Sequence, residues 1–284
     1  MRLKLHPAVF VACGCLVMAL AAATGRIGVA QTATTGKTPA KPQPAAGQPA
    51  PRAPAPAKRE MMQITVVKIK PDLLTEWLDF QKNETIPMLK KAGSARRDAW
   101  QTATFGEGFM YAFVTPIENF SQYDGDAPPV RALGAEGARA YGEKNRRFVI
   151  STRTYLEQTR PDLGYEVKMT GPPKLALLSD IQIALGKTAD YEALIKADVL
   201  PVMRKARLGY AVAQTVLGGD ANGFTTLIFY DTFAEIGKGH PFQRVLGAEG
   251  ERQLTAKAAG IVTHVERSII RYVPDLSFAP RPTS

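Results

Sequence analysis

The feature that most constrains the fold of this chain is an internal repeat. Three segments recur further along the chain at a nearly constant offset of 113 or 114 residues. The matching pairs are residues 131–139 with 244–252, residues 161–163 with 274–276, and residues 86–92 with 200–206. Collinear matches at one offset predict that a unit of about 100 residues occurs twice.

Hydrophobic periodicity changes in the same order in both halves, from alternating strand patterns to helical ones and back. The first half predicts a strand at 61–69, a helix at 72–91, strands at 97–104 and 109–114, a helix at 129–146 and a strand at 149–156. The second half predicts the same elements at 175–185, 188–205, 210–217, 224–230, 241–259 and 262–272. Pro87 and Pro201 should interrupt the first helix of each half near its last turns.

The order β-α-β-β-α-β is that of the ferredoxin-like split βαβ unit. One such sheet has helices on one face only, so its bare face needs a second sheet to cover it. Over residues 60–278 the arrangement resembles the dimeric α/β-barrel superfamily, which includes antibiotic-biosynthesis-type monooxygenases, NIPSNAP-like proteins and the haem-binding chlorite dismutase group. The resemblance implies an α+β fold in which two tandem ferredoxin-like repeats form one pseudo-dimeric barrel. The sequence has no catalytic motif of these families.

The first 30 residues have the layout of a secretory signal peptide. Arg2 and Lys4 precede an uncharged apolar run, and small residues at 28–30 provide a cleavage site. We expect cleavage after Ala30 and a periplasmic or secreted location. The alternative is a retained anchor, or lipid attachment at Cys13 or Cys15, and only then would the segment tether the protein to a membrane.

Residues 31–58 hold seven prolines and eight alanines, with no acidic or aromatic residue. Such a segment cannot bury enough apolar surface to offset its ordering entropy, so it is predicted to be a disordered linker. The first α/β repeat should then span residues 59–171, the second 172–278, and a tail 279–284. Both cysteines precede the linker, so the mature protein would have neither disulfides nor thiolate chemistry.

The formal charge of +10 does not by itself indicate a nucleic-acid partner. Residues 1–58 hold seven basic residues and no acidic one, which leaves +3 for residues 59–284. The folded region is therefore nearly balanced, and it has no basic-aromatic pattern of the kind that binds nucleic acid.

Candidate binding residues come from the alternation of the first strand in each half, since one face of each sheet should line a central cavity. One alternating set contains Lys68 in the first half and Asp180 and Gln182 in the second. These three are candidate polar groups in the cavity. The alternative is that they lie near strand ends in water.

Candidate catalytic residues come from the last strands. Arg153 and Glu266 occupy matching positions, so they are predicted to form an ion pair or to bind a polar ligand near the pseudo-twofold axis. His264 shares the alternation of Glu266, which makes it a candidate general base held by a carboxylate. A structural or surface histidine is the alternative reading.

Two aromatic residues and one repeated segment complete the set of candidates. Trp100 and Tyr111 lie on predicted strands and are candidates for lining the cavity, unless they are plain core. The repeated Arg-x-Leu-Gly-Ala-Glu-Gly-x-Arg segment suggests ligand binding. However, its Glu and Arg are spaced for a helical surface pair and its glycines suit a close backbone approach or a helix boundary.

Several chemistries find no support in the sequence. The mature chain has only His240 and His264, with no ligand spacing for a metal, no phosphate-cradling loop and no nucleophile elbow. A single axial histidine for haem is the remaining cofactor alternative, but neither histidine recurs in the other half. We therefore expect neither a metal nor a cofactor.

The sequence leaves three functions open. The first is an exported protein that binds a small hydrophobic molecule between the two sheets. The second is a cofactor-independent monooxygenase-like or isomerase-like enzyme, and the third is a structural or interaction module. The ligand and the oligomeric state do not follow from the residues.

Overall fold

The computed structural model describes residues 58–168 and 171–279. The predicted signal peptide, the predicted linker up to residue 57, and residues 280–284 of the predicted tail lie outside the described residues. Within the described residues, no helix is both long and apolar enough to cross a membrane.

Both halves follow the predicted order of elements. The first half contains β1 (Met61–Ile69), α1 (Leu74–Phe80), α2 (Ile86–Lys91), β2 (Asp98–Thr102), β3 (Met110–Ile117), α3 (Pro128–Phe148) and β4 (Val149–Thr159). The second half contains β5 (Leu175–Ile183), α4 (Thr188–Leu194), α5 (Leu200–Ala206), β6 (Tyr210–Leu217), β7 (Gly223–Tyr230), a short α6 (Phe233–Ile236), α7 (Pro241–Ala258) and β8 (Val262–Tyr272). Strands β3 and β4 extend beyond their predicted ends.

The eight strands form one closed barrel in the order β1-β3-β2-β8-β5-β7-β6-β4. All neighbouring strands are antiparallel. Two of the pairings join the halves: β2 pairs with β8, and the end of β4 pairs with β6. The predicted mixed α/β barrel is therefore confirmed, and neither half closes a barrel alone.

Alternation along the strands separates an inner face from an outer, helix-covered face. In β1, Val67 and Ile69 pack against Trp77 of α1 and belong to the outer face. The residues between and beside them, including Val66 and Lys68, therefore point into the barrel. Each half has its own apolar cluster between the outer face and the helices, so the core lies mainly outside the barrel.

The prolines of the first helices do not interrupt them as sharply as predicted. A π-helical turn at Gln81–Thr85 joins α1 to α2, and another at Ile195–Val199 joins α4 to α5. The N–H of Ile86 bonds to the carbonyl of Gln81, five residues earlier. Proline clashes with the carbonyl four residues before it, and widening the preceding turn relieves that clash while the chain stays helical.

Arg160 connects the two halves at the end of β4. Its side chain is only 3% exposed. The guanidinium donates to both carboxylate oxygens of Asp162, at 2.9 and 2.7 Å, and to Glu192 on α4. The backbone N–H of Arg160 also donates to the carbonyl of Val212 on β6, at 2.7 Å. This arginine therefore fixes the end of the first half against a helix and a strand of the second.

Candidate functional site

A cavity of about 480 Å³ lies on the outer face of the second half, between the sheet and helices α4 and α7. Its walls are mainly apolar, and they include Leu194, Ile195, Val199, Ile228 and Leu254. The sequence placed the binding space on the inner face, between the two sheets. This cavity is instead covered by helices.

Several side chains beside the cavity are smaller than those at the matching positions of the first half. Phe113, Trp77, Phe80 and Tyr141 of the first half correspond to Thr226, Tyr191, Leu194 and Leu254 of the second. In the first half these aromatic rings fill the space, with Phe80 stacked on Tyr141 at 5.1 Å and Trp77 6.2 Å from Phe113. The same arrangement of strands and helices is therefore packed with aromatic rings in the first half and with smaller side chains beside the cavity in the second.

The floor of the cavity carries hydroxyl groups. Ser179 on β5 and Thr226 on β7 are direct cross-strand partners, and both are buried. The hydroxyl of Thr226 lies beside the phenol of Tyr210, and Tyr191 contributes a second buried phenol. Burial raises the pKa of both tyrosines, so the phenols stay protonated and can donate hydrogen bonds.

His240 lies at the rim and caps the start of α7. Its Nδ1 accepts a hydrogen bond from the N–H of Phe242 at 3.3 Å. Burial, and after it the positive charge of Arg267, lower the pKa of His240 to about 4. The imidazole is therefore neutral at pH 7, and since Nδ1 accepts, its proton resides on Nε2.

A larger cleft of about 980 Å³ lies near the start of β5, lined by parts of residues 167–175, 207–209 and 229–235. Its arginines and lysines are exposed. These charged side chains are therefore hydrated. The smaller cavity is the better candidate because it combines apolar walls with buried polar groups.

The inner face contains a group of carboxylates that spans both halves. Glu157 on β4 is only 5% exposed and accepts a hydrogen bond from the hydroxyl of Thr225 on β7. The same hydroxyl lies 3.4 Å from Asp180, and Asp180 is the cross-strand partner of Glu266. Burial, with a smaller contribution from Asp180, raises the pKa of Glu157 to about 7, against the opposing effect of the Thr225 hydrogen bond.

Glu157 was not among the predicted site residues, because the predicted last strand ended at residue 156. Extending the alternation of Ser151, Arg153 and Tyr155 by one step would have placed Glu157 on the inner face. Nothing in the local sequence distinguishes this glutamate from an exposed one. Its burial results from pairing between β4 and β6 of the other half.

The predicted catalytic residues lie on the inner face but do not form the expected pairs. Among the described residues, no ion pair within 4.0 Å joins Arg153 to Glu266, and no hydrogen bond joins Glu266 to His264. The structure does not form the predicted Arg153–Glu266 ion pair, and the alternative role of these residues, binding of a polar ligand, stays a prediction. Strands β4 and β8 are not neighbours in the barrel, and each charge instead acts on Asp180. Whether any of the three takes part in chemistry stays a prediction.

The predicted ligand-binding residues of β1 and β5 also point inward. Lys68 forms an ion pair with Glu107, while Asp180 and Gln182 are exposed. Burial and the charge of Glu266 raise the pKa of Asp180. Asp180 is exposed, so water screens the charge of Glu266 at this position.

Comparison with known proteins identifies the fold. No protein-family model matches the sequence and no curated protein matches it. Among solved structures, a proposed monooxygenase from Lactobacillus acidophilus matches with a TM-score of 0.50 at 9% identity, over 78% of this chain and 97% of that one. A mutant chlorite dismutase from Candidatus Nitrospira defluvii matches with a TM-score of 0.50 at 8% identity, over 76% and 92%. The chain has the dimeric α/β-barrel fold. At such identities the likeness shows the fold alone.

Within this dimeric α/β barrel, the two aromatic candidates lie on opposite faces. Trp100 points inward and packs edge-on against Tyr272 of the second half, at 5.3 Å. Tyr111 does not line the interior as predicted, because it packs against Trp77 beneath α1, at 4.5 Å. Tyr111 on β3 is the direct cross-strand partner of Val67 on β1, so it lies on the same outer face.

The repeated glycine segment bends the last helix of each half of the dimeric α/β barrel. Gly134 and Gly247 both have φ of 72°, with ψ of 174° and 176°, inside α3 and α7. This region of the backbone map is essentially restricted to glycine. A Cβ at Gly137 or Gly250 would lie within 2.8 Å of a leucine side chain. These glycine requirements give the segment a structural role in both halves.

Metal-dependent chemistry has no visible basis in the described part of the barrel. No group of three or more histidine, cysteine, aspartate or glutamate side chains there is arranged to hold a metal ion. The polar groups that line the cavity are hydroxyls, two phenols, the neutral imidazole of His240, the guanidinium of Arg267 and the carboxylate of Glu251.

Proposed function

We propose that this protein is exported and binds a small, largely apolar molecule in the helix-covered cavity of its second half. The observation that carries the proposal is the replacement of Phe113, Phe80 and Tyr141 by Thr226, Leu194 and Leu254 at matching positions. Truncating a large core side chain to alanine typically destabilises a protein by about 2–5 kcal/mol, and a smaller reduction in side-chain volume costs part of that. A ligand that refills the space would offset that loss.

The proposal includes the organisation of the chain. We propose that the two halves are tandem copies of one ferredoxin-like unit that pair as a pseudo-dimer. We also propose that residues 31–58 are a linker, which follows a signal peptide that is removed on export. The constant offset of the matching segments and the pairing of β2 with β8 and β4 with β6 support this organisation.

A cofactor-independent, monooxygenase-like enzyme is the second candidate. The observation in its favour is His240, a neutral imidazole at the rim of an apolar cavity whose Nε2–H would be available to stabilise negative charge that develops on an oxygen. The name of the Lactobacillus acidophilus structure is consistent with this reading.

Haem fits this cavity poorly. A histidine that ligates a metal through one ring nitrogen normally donates the proton of its other nitrogen to an acceptor. Nδ1 of His240 instead accepts a backbone N–H, so Nε2 holds the proton of the neutral ring. That tautomer is the reverse of the one that an axial ligand needs.

The binding proposal predicts that Thr226→Phe will weaken ligand binding. The neutral fluorescent probe phenylnaphthylamine should bind the wild-type cavity, and its affinity should fall at least about tenfold when a phenyl ring occupies that space. Fluorescence titration measures the affinity, and circular dichroism checks that the variant is folded. Leu185→Phe is the control, since residue 185 is 86% exposed. Equal probe affinity in Thr226→Phe and wild type would contradict the proposal.

Export predicts a defined mature terminus. When the full-length chain is produced in a secreting bacterial host, N-terminal sequencing of the exported product should begin at or near Gln31, because small residues at 28–30 precede it. A product that starts at Met1 or at a lipidated cysteine would show that the export proposal is wrong.

A further inference from the structure

The polar groups of the cavity are unevenly distributed. The floor holds hydroxyls, whereas the rim holds Arg267 and His240. Arg267 is the cross-strand partner of Ser179, and the matching pair in the first half is Thr154 with Thr65. The position that is a threonine in the first half is therefore an arginine at the rim of the cavity in the second.

Arg267 has no counter-charge in the described structure. No carboxylate there lies within 4.0 Å of its guanidinium, although Glu251 on α7 lines the same cavity. Arg267 lies close enough to His240 for its charge to lower the pKa of the imidazole, after the larger effect of burial. This end of the cavity therefore has a guanidinium without an ion-pair partner beside a neutral imidazole.

His240 adds a hydrogen-bond donor beside that charge. Because Nδ1 is occupied by the N–H of Phe242, the proton on Nε2 is the one that can be offered to a ligand. No described side chain or backbone carbonyl accepts it. Two neighbouring donors without protein acceptors, one of them a cation, are suited to an anionic oxygen.

We propose that the molecule bound in this cavity is an amphiphile with one anionic head group, of the carboxylate class, held by the Arg267 guanidinium and by Nε2–H of His240. This inference rests on the proposed binding function and adds the class of ligand to it. The apolar body lies against the aliphatic walls, and the hydroxyls of Ser179 and Thr226 remain available to polar atoms further along the ligand.

The test compares two probes with the same ring skeleton. Phenylnaphthylamine is neutral, and anilinonaphthalene sulfonate carries an anionic group. Wild-type protein should prefer the anionic probe. Arg267→Gln should weaken anionic binding by about tenfold, the scale of one charge-assisted contact, and leave neutral binding unchanged. Arg146→Gln removes the same charge from an exposed position on α3, so it should change neither affinity.

A second readout isolates His240. The groups that line the cavity around it are Arg267 on β8, Glu251 on α7, Tyr191 on α4 and Tyr210 on β6. A bound anion favours the imidazolium and so raises the pKa of His240 above its free value of about 4. Affinity for the sulfonate should therefore increase as the pH falls from about 6 toward 4. His240→Asn keeps a capping acceptor for α7 and should remove this increase.

The outcomes separate the two proposals. If the wild type binds neither probe, both the binding function and the ligand class are wrong. If it binds the neutral probe equally well or better, or if Arg267→Gln weakens both probes alike, only the anionic head group is wrong. Selective loss of the anionic probe in Arg267→Gln, with Arg146→Gln unchanged, supports the inference.

Discussion

Glu157→Gln is expected to raise the free energy of unfolding at pH 8 by about 3 kcal/mol, since one pKa unit corresponds to about 1.4 kcal/mol. Burial raises the pKa of this carboxyl from 4.5 to about 7. At pH 8 the folded protein therefore holds a buried negative charge that the unfolded chain exposes to water. Glutamine removes the charge and keeps an oxygen that accepts from the hydroxyl of Thr225.

The pH dependence has a defined sign. Between pH 4.5 and about 7 the folded state binds more protons at Glu157 than the unfolded state does. Stability should therefore decrease as the pH rises through this range, and the variant should lack that decrease. Urea denaturation at several pH values measures the effect. Glu143→Gln, at an exposed position on α3, is the control. A variant no more stable than wild type at pH 8 would mean that the Glu157 charge is not destabilising.

Arg160→Met is expected to have the opposite effect and to lower the free energy of unfolding by about 3 kcal/mol. The buried guanidinium binds Asp162 and Glu192, so its removal leaves two carboxylates without their partner. Both carboxylates are partly exposed, and water will recover some of the lost interaction. The methionine fills part of the space but cannot connect the end of β4 to α4.

Denaturation midpoints for Arg160→Met, Glu192→Gln and the double variant should show non-additive losses. Hydrogen bonds from Arg160 lower the pKa of both Asp162 and Glu192. Their stabilisation is therefore present above the ordinary carboxyl pKa and is lost as the pH falls through the folded values. Arg252→Met, which breaks an exposed pair with Glu249, should change stability by less than about 1 kcal/mol. Additive losses, each as small as that of the control, would contradict the connecting role of Arg160.

Alternation along strands made part of the inner face predictable. Lys68, Asp180 and His264 share that face because side-chain direction has a period of two and depends only on the strand itself. The residues that these side chains contact were less predictable. Arg153 and Glu266 occupy matching positions, but matching positions in two halves of a barrel are related by symmetry and need not be adjacent.

The cavity was not predictable from either half alone. Thr226 and Leu254 are ordinary residues for a strand and a helix. Their small size indicates a cavity only when they are compared with Phe113 and Tyr141, which occupy the matching positions of the first half. A comparison of side-chain volumes between the matched halves was the signal available in the sequence. The kinks at Gly134 and Gly247 were likewise visible only as glycines within a helical pattern, which suited a helix boundary equally well.

The placement of both halves in one chain has a consequence for how such a protein can change over generations. In a symmetric homodimer every substitution occurs twice, so a residue lost from one core is lost from both, and the destabilisation doubles. Here each half accepts mutations independently. The half packed around Trp77 and Phe80 has its own apolar cluster, so a smaller side chain in the other half reduces packing once and not twice.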